Sequence, residues 1–85
     1  MDGILQLIAV VKQPRSVLPT RENISVILVN AHCFTTNSGR SYFVAKMLPP
    51  LWGRYKEDVR FQFIDSNGFE RSIPRTRVAR VQLRS

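Results

Sequence analysis

The clearest pattern of hydrophobic and polar positions lies toward the carboxyl end of the chain. From Val59 to Ile64, apolar residues alternate with polar ones over most of the stretch, the period of two expected of a half-buried strand. The Asn67-Gly68 pair that follows is well suited to positive φ at both positions of a tight turn. A second short stretch, Phe69–Ile73, completes the pattern, so we predict an antiparallel hairpin here.

Four other stretches are apolar and β-branched enough to predict strands. Pro49-Pro50 should end the third of them, because neither proline can donate a hydrogen bond to a neighbouring strand. Between Arg40 and Leu48 the pattern also fits a helical period, so both interpretations stay open there. The four stretches are Ile4–Val11, Ile24–Asn30, Ser41–Leu48 and Val78–Leu83.

Five or six short strands with turn signals between them, and no long helical period, predict an all-β fold. The chain has 85 residues, which is enough for a single small domain spanning residues 1–85. A few short strands can avoid exposed edges by closing on themselves. We therefore predict a closed or nearly closed five- to six-stranded β-barrel.

The charge of the chain indicates the class of partner. Thirteen Lys and Arg residues against six acids give a net charge of +7. A surface this positive favours polyanions, namely DNA, RNA, an acidic protein or an anionic membrane. The alternative is a basic protein whose charge only keeps it soluble.

Compartment and membrane attachment follow from two further features. The single cysteine, Cys33, cannot form a disulfide within the chain, which favours an intracellular protein of the cytoplasm or nucleus over a secreted one. The apolar stretch Ile4–Val11 is too short to span a bilayer and lacks a basic leader. We therefore expect no membrane partner.

Arginines are concentrated in the last fifteen residues, where no acidic residue follows Glu70. Guanidinium groups form forked hydrogen bonds to phosphate and stack on bases, so these side chains are the main candidates for binding nucleic acid. The alternative is a solvated face with ion pairs to Asp65, Glu57, Asp58 or Glu70. The candidates are Arg71, Arg75, Arg77, Arg80 and Arg84, of which Arg80 and Arg84 should share a face of the last strand.

A second basic group is interleaved with large aromatic residues. It consists of Arg54, Lys56 and Arg60 together with Trp52 and Tyr55. Single-stranded nucleic acid is bound by such mixtures, because bases stack on aromatic rings while basic side chains neutralise phosphates.

The sequence offers little for catalysis or metal binding. His32 and Cys33 are neighbours, but a zinc site needs about four such ligands and the chain has no other His or Cys. Adjacent strand residues point to opposite faces, which argues against a Cys33 nucleophile activated by His32. The glycines are isolated and no pair of carboxylates stands out. We predict a non-enzymatic protein that uses no metal or cofactor.

The carboxyl half resembles a Tudor domain, a member of the SH3-like barrels. Phe63-Ile64-Asp65 is similar to the Phe-Ile-Asp of the Tudor strand, and Asn67 and Gly68 follow in swapped order. Ile73-Pro74 and the Val78–Val81 stretch resemble the closing strand. Ser41–Lys46 is similar to the upstream Tudor segment. The same ending occurs in SH3 peptide-binding domains and in the DNA-binding SH3-like domain of retroviral integrases.

The resemblance implies an aromatic groove and also raises a difficulty for it. Ser66 stands where Tudor domains carry a tyrosine of the cage that holds methylated lysine or arginine. The walls could instead come from Tyr42, Phe43 and Phe61, with Trp52 and Tyr55. The alternative is that Phe43 and Phe61 are core residues and that Trp52 and Tyr55 cover the barrel mouth.

We therefore expect a binding module for nucleic acid, or for a chromatin or ribonucleoprotein component, on an SH3-like barrel. One alternative is an OB-like barrel that binds single-stranded DNA. Another is a protein-interaction module that reads a methylated or proline-rich peptide, or a subunit of a larger complex. A homodimer formed through Ile4–Val11 or another apolar edge strand is also open.

Overall fold

A computed structural model describes residues 15–84 of the chain. Within this range the protein contains six strands, one α-helix and three single turns of 3₁₀ helix. The 3₁₀ turns are Arg21–Asn23, Lys56–Asp58 and Arg75–Arg77. The strands and the helix are β1 (Ser16–Val17), α1 (Ile24–Asn30), β2 (Ala31–Thr36), β3 (Ser41–Leu51), β4 (Arg60–Asp65), β5 (Glu70–Pro74) and β6 (Val78–Leu83).

The strands form one antiparallel sheet in the order β1-β6-β2-β3-β4-β5. The all-β prediction is confirmed, but the sheet is not a closed barrel. In residues 15–84, β5 pairs with β4 alone and β1 with β6 alone, so the two ends of the sheet stay open. β2, β3 and β4 separate β5 from β6 in this order, yet the single turn Arg75–Arg77 connects them. The sheet is consequently strongly curled.

Strand predictions in the carboxyl half agree with the structure to within one residue at most ends. β4, β5 and β6 lie where they were expected, and β3 is a strand rather than a helix. Pro49 and Pro50 do not end β3, however, because it continues to Leu51. Both prolines fall where the β3–β4 register shifts, between Leu48 and Leu51, and this part of β3 has no partner in β2. The missing N–H groups therefore interrupt little pairing.

The β4–β5 hairpin is present, but its turn differs from the expected one. The N–H of Gly68 donates to the carbonyl of Asp65, and the N–H of Asp65 donates to the carbonyl of Phe69, at 3.0 and 2.9 Å. Of the turn residues only Gly68 has positive φ, at 86°. The connection is thus a three-residue loop with glycine in the left-handed position, not a two-residue turn with positive φ at Asn67 as well.

The prediction of a strand over Ile24–Asn30 is wrong, because this segment is α1. Ile24 and Ile27 are fully buried, and Leu28 packs partly against the core, whereas Val29 is exposed. Burial at the first, fourth and fifth positions is the spacing of one helix face. A short segment that is mostly apolar fits both a strand period and a helix period, so its burial in the folded protein decides between them.

The core lies between α1 and the concave side of the sheet. At its centre the Phe34 ring is stacked on Phe63 with centroids 4.9 Å apart and lies 5.2 Å from Phe61. All three rings are fully buried. Ile24 and Ile27 of the helix belong to the same cluster, so α1 covers one side of the aromatic group.

One prediction falls outside the part of the chain that the structure describes. It is the strand Ile4–Val11, together with a dimer formed through it. Among residues 15–84, the single α-helix is seven residues long, and no helix there has the length and apolar character needed to cross a membrane.

Candidate functional site

Arg71 is engaged inside the protein. Its Nε donates to Oδ2 of Asp65 over 2.8 Å, and Asp65 is only 3% exposed. Oδ1 of Asp65 accepts the backbone N–H groups of Asn67 and Phe69, both at 2.9 Å. The hydrogen bond from Arg71, helped by these two N–H groups, holds the pKa of Asp65 below its ordinary value against the opposing effect of burial. This arginine fixes the hairpin.

Two aromatic rings also contact the Arg71 guanidinium. Its central carbon lies 5.0 Å from the centroid of the Tyr42 ring and 5.6 Å from that of Phe69. Both distances are within the range of a cation–π contact. The space between these rings is therefore already occupied by a cation of the same chain.

Arg75 and Arg84 also bind backbone groups of the protein. Arg75 donates from Nε to the carbonyl of Glu57 at 2.5 Å and from an Nη to that of Pro19 at 3.4 Å. Arg84 donates to the carbonyl of Val44 at 3.2 Å. These two arginines connect distant segments of the chain, and their guanidinium groups are partly used in doing so.

Arg77 and Arg80 are exposed. Arg80 lies on β6 opposite Thr35, whereas Arg84 lies one residue beyond the end of β6 and is exposed as well. That Arg80 and Arg84 share a face stays a prediction, because the exposure of both does not show to which face each side chain points.

The protein itself engages the five candidate arginines to different degrees. Within residues 15–84, ion pairs join only Arg21 to Glu57 and Arg71 to Asp65. Arg71 and Arg75 have structural partners, whereas Arg77 and Arg80 remain available to a ligand. The alternative interpretation, in which acids neutralise the arginines, thus holds for Arg71 alone of the five.

A cleft in the curled sheet brings Arg77 together with two arginines from other elements. Arg40 precedes β3, Arg60 lies on β4 and Arg77 ends the turn between β5 and β6. The cleft has a volume of about 940 Å³, within the range of about 300–1,000 Å³ typical of ligand sites. We call it the arginine cleft; its lining also includes Thr36, Asn37, Ser38, Tyr42, Ser72 and Pro74.

The arginine cleft is positively charged and rich in hydrogen-bond donors. No carboxylate is among its lining residues in the described part of the chain. Arg40 contacts the Tyr42 hydroxyl at 3.5 Å, and Arg60 reaches the carbonyl and hydroxyl oxygens of Ser72, both at 3.4 Å. These long contacts orient the guanidinium groups without neutralising them. Three positive charges thus line the same recess.

Asn37 fixes one wall of the cleft to another. Its backbone N–H donates to the carbonyl of Arg77, and its side-chain amide donates to the carbonyl of Thr76, both at 2.9 Å. The β2–β3 turn and the Arg75–Arg77 turn are therefore held together. These two hydrogen bonds fix the position of the Arg40 backbone relative to that of Arg77.

The second basic group lies at the end of β3. Trp52 and Tyr55 are 53% and 59% exposed, and Arg54 lies over the Tyr55 ring at 5.6 Å. We call residues 52–55 the aromatic loop. A side chain at Gly53 would overlap Asp58, and the Asp58 carboxylate accepts the N–H of Tyr55 at 3.2 Å. The loop is consequently packed tightly on the Lys56–Asp58 turn. Lys56 itself is exposed.

The aromatic groove of Tyr42, Phe43 and Phe61 does not exist as predicted. Phe61 is fully buried in the core. Tyr42 packs against that core, with its ring 6.4 Å from Phe63. Phe43 is 51% exposed and lies edge-on to His32 at 5.7 Å. Neighbours on a strand point to opposite faces, so Tyr42 and Phe43 cannot line one groove.

The sequence patterns did not single out Arg40 or Asn37. They placed Arg60 and Arg77 in two separate groups, whereas the structure brings both into one cleft. The sequence feature that could have identified Arg40 is its position directly after the turn cluster that ends in Gly39. Comparison with protein families, with curated proteins and with solved structures finds no match to this chain.

Proposed function

We propose that this protein is a non-enzymatic module that binds nucleic acid, either free or as part of a chromatin or ribonucleoprotein complex. The observation that carries the proposal is the arginine cleft, in which Arg40, Arg60 and Arg77 line a recess free of carboxylates. Guanidinium groups bind phosphate oxygens through forked hydrogen bonds, so such a recess suits a phosphate backbone. An acidic protein segment would be the competing ligand.

Two further exposed arginines extend the same surface chemistry. Arg54 and Arg80 are exposed, and neither forms an ion pair within residues 15–84. With a net charge of +7, the chain would attract a polyanion over distances longer than a contact. Binding of this kind is governed by phosphate neutralisation and carries little sequence preference.

The strand order supports an SH3-like, Tudor-like fold as the framework for this module. From β2 to β5 each strand pairs with the next one along the chain, and β6 returns to pair with β2 after one 3₁₀ turn. The OB-fold is a Greek-key arrangement and differs from this meander. The order therefore favours the SH3-like interpretation over the OB-like one.

A methylated-peptide reader is a weaker interpretation of the same fold. The aromatic pair nearest to a cage is Tyr42 and Phe69, and the Arg71 guanidinium lies against both rings. Arg71 is itself held by the buried carboxylate of Asp65. A methylated cation would have to displace this ion pair to enter.

The experiment is a salt titration of binding with a matched charge control. Fluorescence anisotropy would follow a labelled oligonucleotide binding to the wild type, to Arg40→Ala/Arg77→Ala and to Arg15→Ala/Arg21→Ala. Both double variants remove two positive charges, but only the first changes the arginine cleft. The logarithm of the affinity falls as the logarithm of the salt concentration rises. For a single strand, the steepness of this dependence should decrease by about 0.7 for each phosphate that is no longer neutralised.

We expect the cleft variant to show lower affinity and a smaller salt slope, and the control variant to change much less. Equal losses of affinity in the two variants would mean that net charge, not the cleft, determines binding. Affinity for the wild type that does not change with salt would contradict the proposal.

A further inference from the structure

The arginine cleft and the aromatic loop lie side by side. We infer that together they bind single-stranded nucleic acid, with its backbone in the cleft and an unpaired base stacked on Trp52. This inference rests on the proposed function and makes it specific, because it selects a single strand over a duplex.

Register places the loop next to the cleft. Leu51, the last residue of β3, is the cross-strand partner of Arg60 in β4. Partners in antiparallel strands have Cα atoms about 4.5–5.5 Å apart, and Trp52 is one residue further, so its Cα lies within about 9 Å of that of Arg60. Arg60 therefore belongs to the cleft lining and also adjoins the aromatic loop.

Trp52 offers a surface that only an unpaired base can use. Its side chain is 53% exposed, next to Tyr55 at 59% and Leu51 at 55%. Bases inside a duplex are stacked on each other, whereas bases of a single strand can stack on an aromatic side chain. An exposed group of large apolar side chains next to Arg60, which also lines a cleft with two other arginines, is the combination that suits single-strand binding.

The α-helix in residues 15–84 is not suited to reading a duplex. A helix in the major groove needs basic or amide side chains along its exposed face. The only α-helix in residues 15–84 is α1, with the sequence ISVILVN, and it has no basic residue. Its buried face also covers the core, through Ile24 and Ile27.

The shape of the cationic surface points the same way. The three arginines line a recess between the β2–β3 turn and β5, not a ridge or a flat face. A flexible strand can enter a recess of nucleotide size, whereas the phosphates of a rigid duplex would reach only its rim. The recess also offers Tyr42 and Pro74 as apolar surfaces beside the arginines.

The test uses the full chain and three probes: oligothymidylate, oligouridylate and a mixed-sequence duplex of equal length. Trp52 is the only tryptophan in the chain, so its emission reports directly on stacking in the wild type. Labelled-probe anisotropy then compares Trp52→Leu with Phe43→Leu. The control changes a similarly exposed aromatic residue near the opposite end of β3.

We expect a single strand to quench the emission of Trp52 and to bind more tightly than the duplex. Trp52→Leu should weaken binding of the single strand by roughly 5- to 150-fold, the range measured for loss of one stacked base. Phe43→Leu should leave the affinity close to that of the wild type. Oligothymidylate and oligouridylate differ in the sugar and in the methyl group of the base, and a preference for either one over the duplex would support the inference.

Two results would overturn the inference while the proposed function stands. The first is binding that depends on Arg40 and Arg77 but is as tight for the duplex and is unaffected by Trp52→Leu. The second is an equal loss of affinity in Phe43→Leu. If none of the three probes binds, the proposed function fails, and the inference fails with it.

Discussion

Asn37 joins the two turns that carry Arg40 and Arg77. Its side-chain amide donates to the carbonyl of Thr76, 39 residues along the chain, and its backbone N–H donates to the carbonyl of Arg77. The spacing of the two guanidinium groups therefore depends on a residue that carries no charge. Asn37 is a positioning residue of the cleft.

Replacing Asn37 by alanine should weaken both the fold and the cleft. The change removes the side-chain bond to Thr76 and keeps the backbone bond to Arg77. We expect a loss of about 0.5–1.5 kcal/mol in the free energy of unfolding, measured by urea denaturation, and weaker oligonucleotide binding with less salt dependence. Asn67→Ala is the control, because Asn67 is also an exposed turn asparagine but lies on the β4–β5 loop. Unchanged binding in Asn37→Ala would show that the cleft does not need this link.

Asp65→Asn should destabilise the protein more than any change at an exposed acid. The buried carboxylate accepts two backbone N–H groups and the Arg71 guanidinium, and an amide cannot replace the charge of that last contact. Loss of the partner would leave a half-buried Arg71 with two aromatic neighbours and no counter-ion. The readout is the melting temperature, with Glu70→Gln as the control. Equal melting temperatures for the two variants would contradict the structural role of this pair.

Asp65 should also make stability depend on pH in the acid range. Its pKa in the folded protein lies below the value of 3.8 for an unperturbed aspartate, so the folded state favours the ionised form. The resulting stabilisation is complete above this value and is lost as pH falls through the lower pKa of the folded state. Denaturation midpoints measured between about pH 7 and pH 2 should therefore show that the stability of the wild type falls toward that of Asp65→Asn below about pH 4. A constant difference over that range would be inconsistent with the ion pair.

Phe61 and Phe43 provide a direct comparison of a core ring with a surface ring. Phe61→Ala should lower the free energy of unfolding by about 3–5 kcal/mol, because the fully buried ring leaves a cavity beside Phe34. Phe43→Ala should cost far less, about 0.5 kcal/mol, since half of its surface is already in water. Urea denaturation of the two variants measures both values. Similar losses would place Phe61 outside the core.

Cys33 should be unreactive in the folded protein. Its side chain is 4% exposed, and this burial raises the pKa of the thiol, so little thiolate is present near neutral pH. We expect iodoacetamide to modify Cys33 only after urea has unfolded the chain, as followed by mass spectrometry. Rapid modification without denaturant would show that β2 opens readily.

The strands of the carboxyl half could be predicted because their burial alternates. Val59–Ile64 keeps one face in the core, so period two is visible in the sequence. The Ile24–Asn30 segment shows no such alternation, and its helix depends on packing Ile24 and Ile27 under the curled sheet. Closure of the barrel could not be settled from strand count, because it depends on whether the end strands meet.

The candidate site was only partly accessible from the sequence. Composition predicted the kind of chemistry, and Arg60 and Arg77 were among the candidates. Both of them line the cleft together with Arg40 because of the sheet order, which brings Arg40 and Arg77 to one cleft although they are 37 positions apart in the sequence. Arg71 and Arg75 have the same residue type and a neighbouring position, but their partners within the protein give them a different role.

Among residues 15–84, β6 is the strand that is made last, yet it lies between β1 and β2 in the sheet. During synthesis, β2 to β5 leave the ribosome while the place beside β2 is still empty, and α1 has an incomplete sheet to cover. The aromatic centre of the nascent protein is therefore shielded from water only once residues 78–83 have been made. Premature termination before this point would release an aggregation-prone, unfinished chain rather than a smaller functional one.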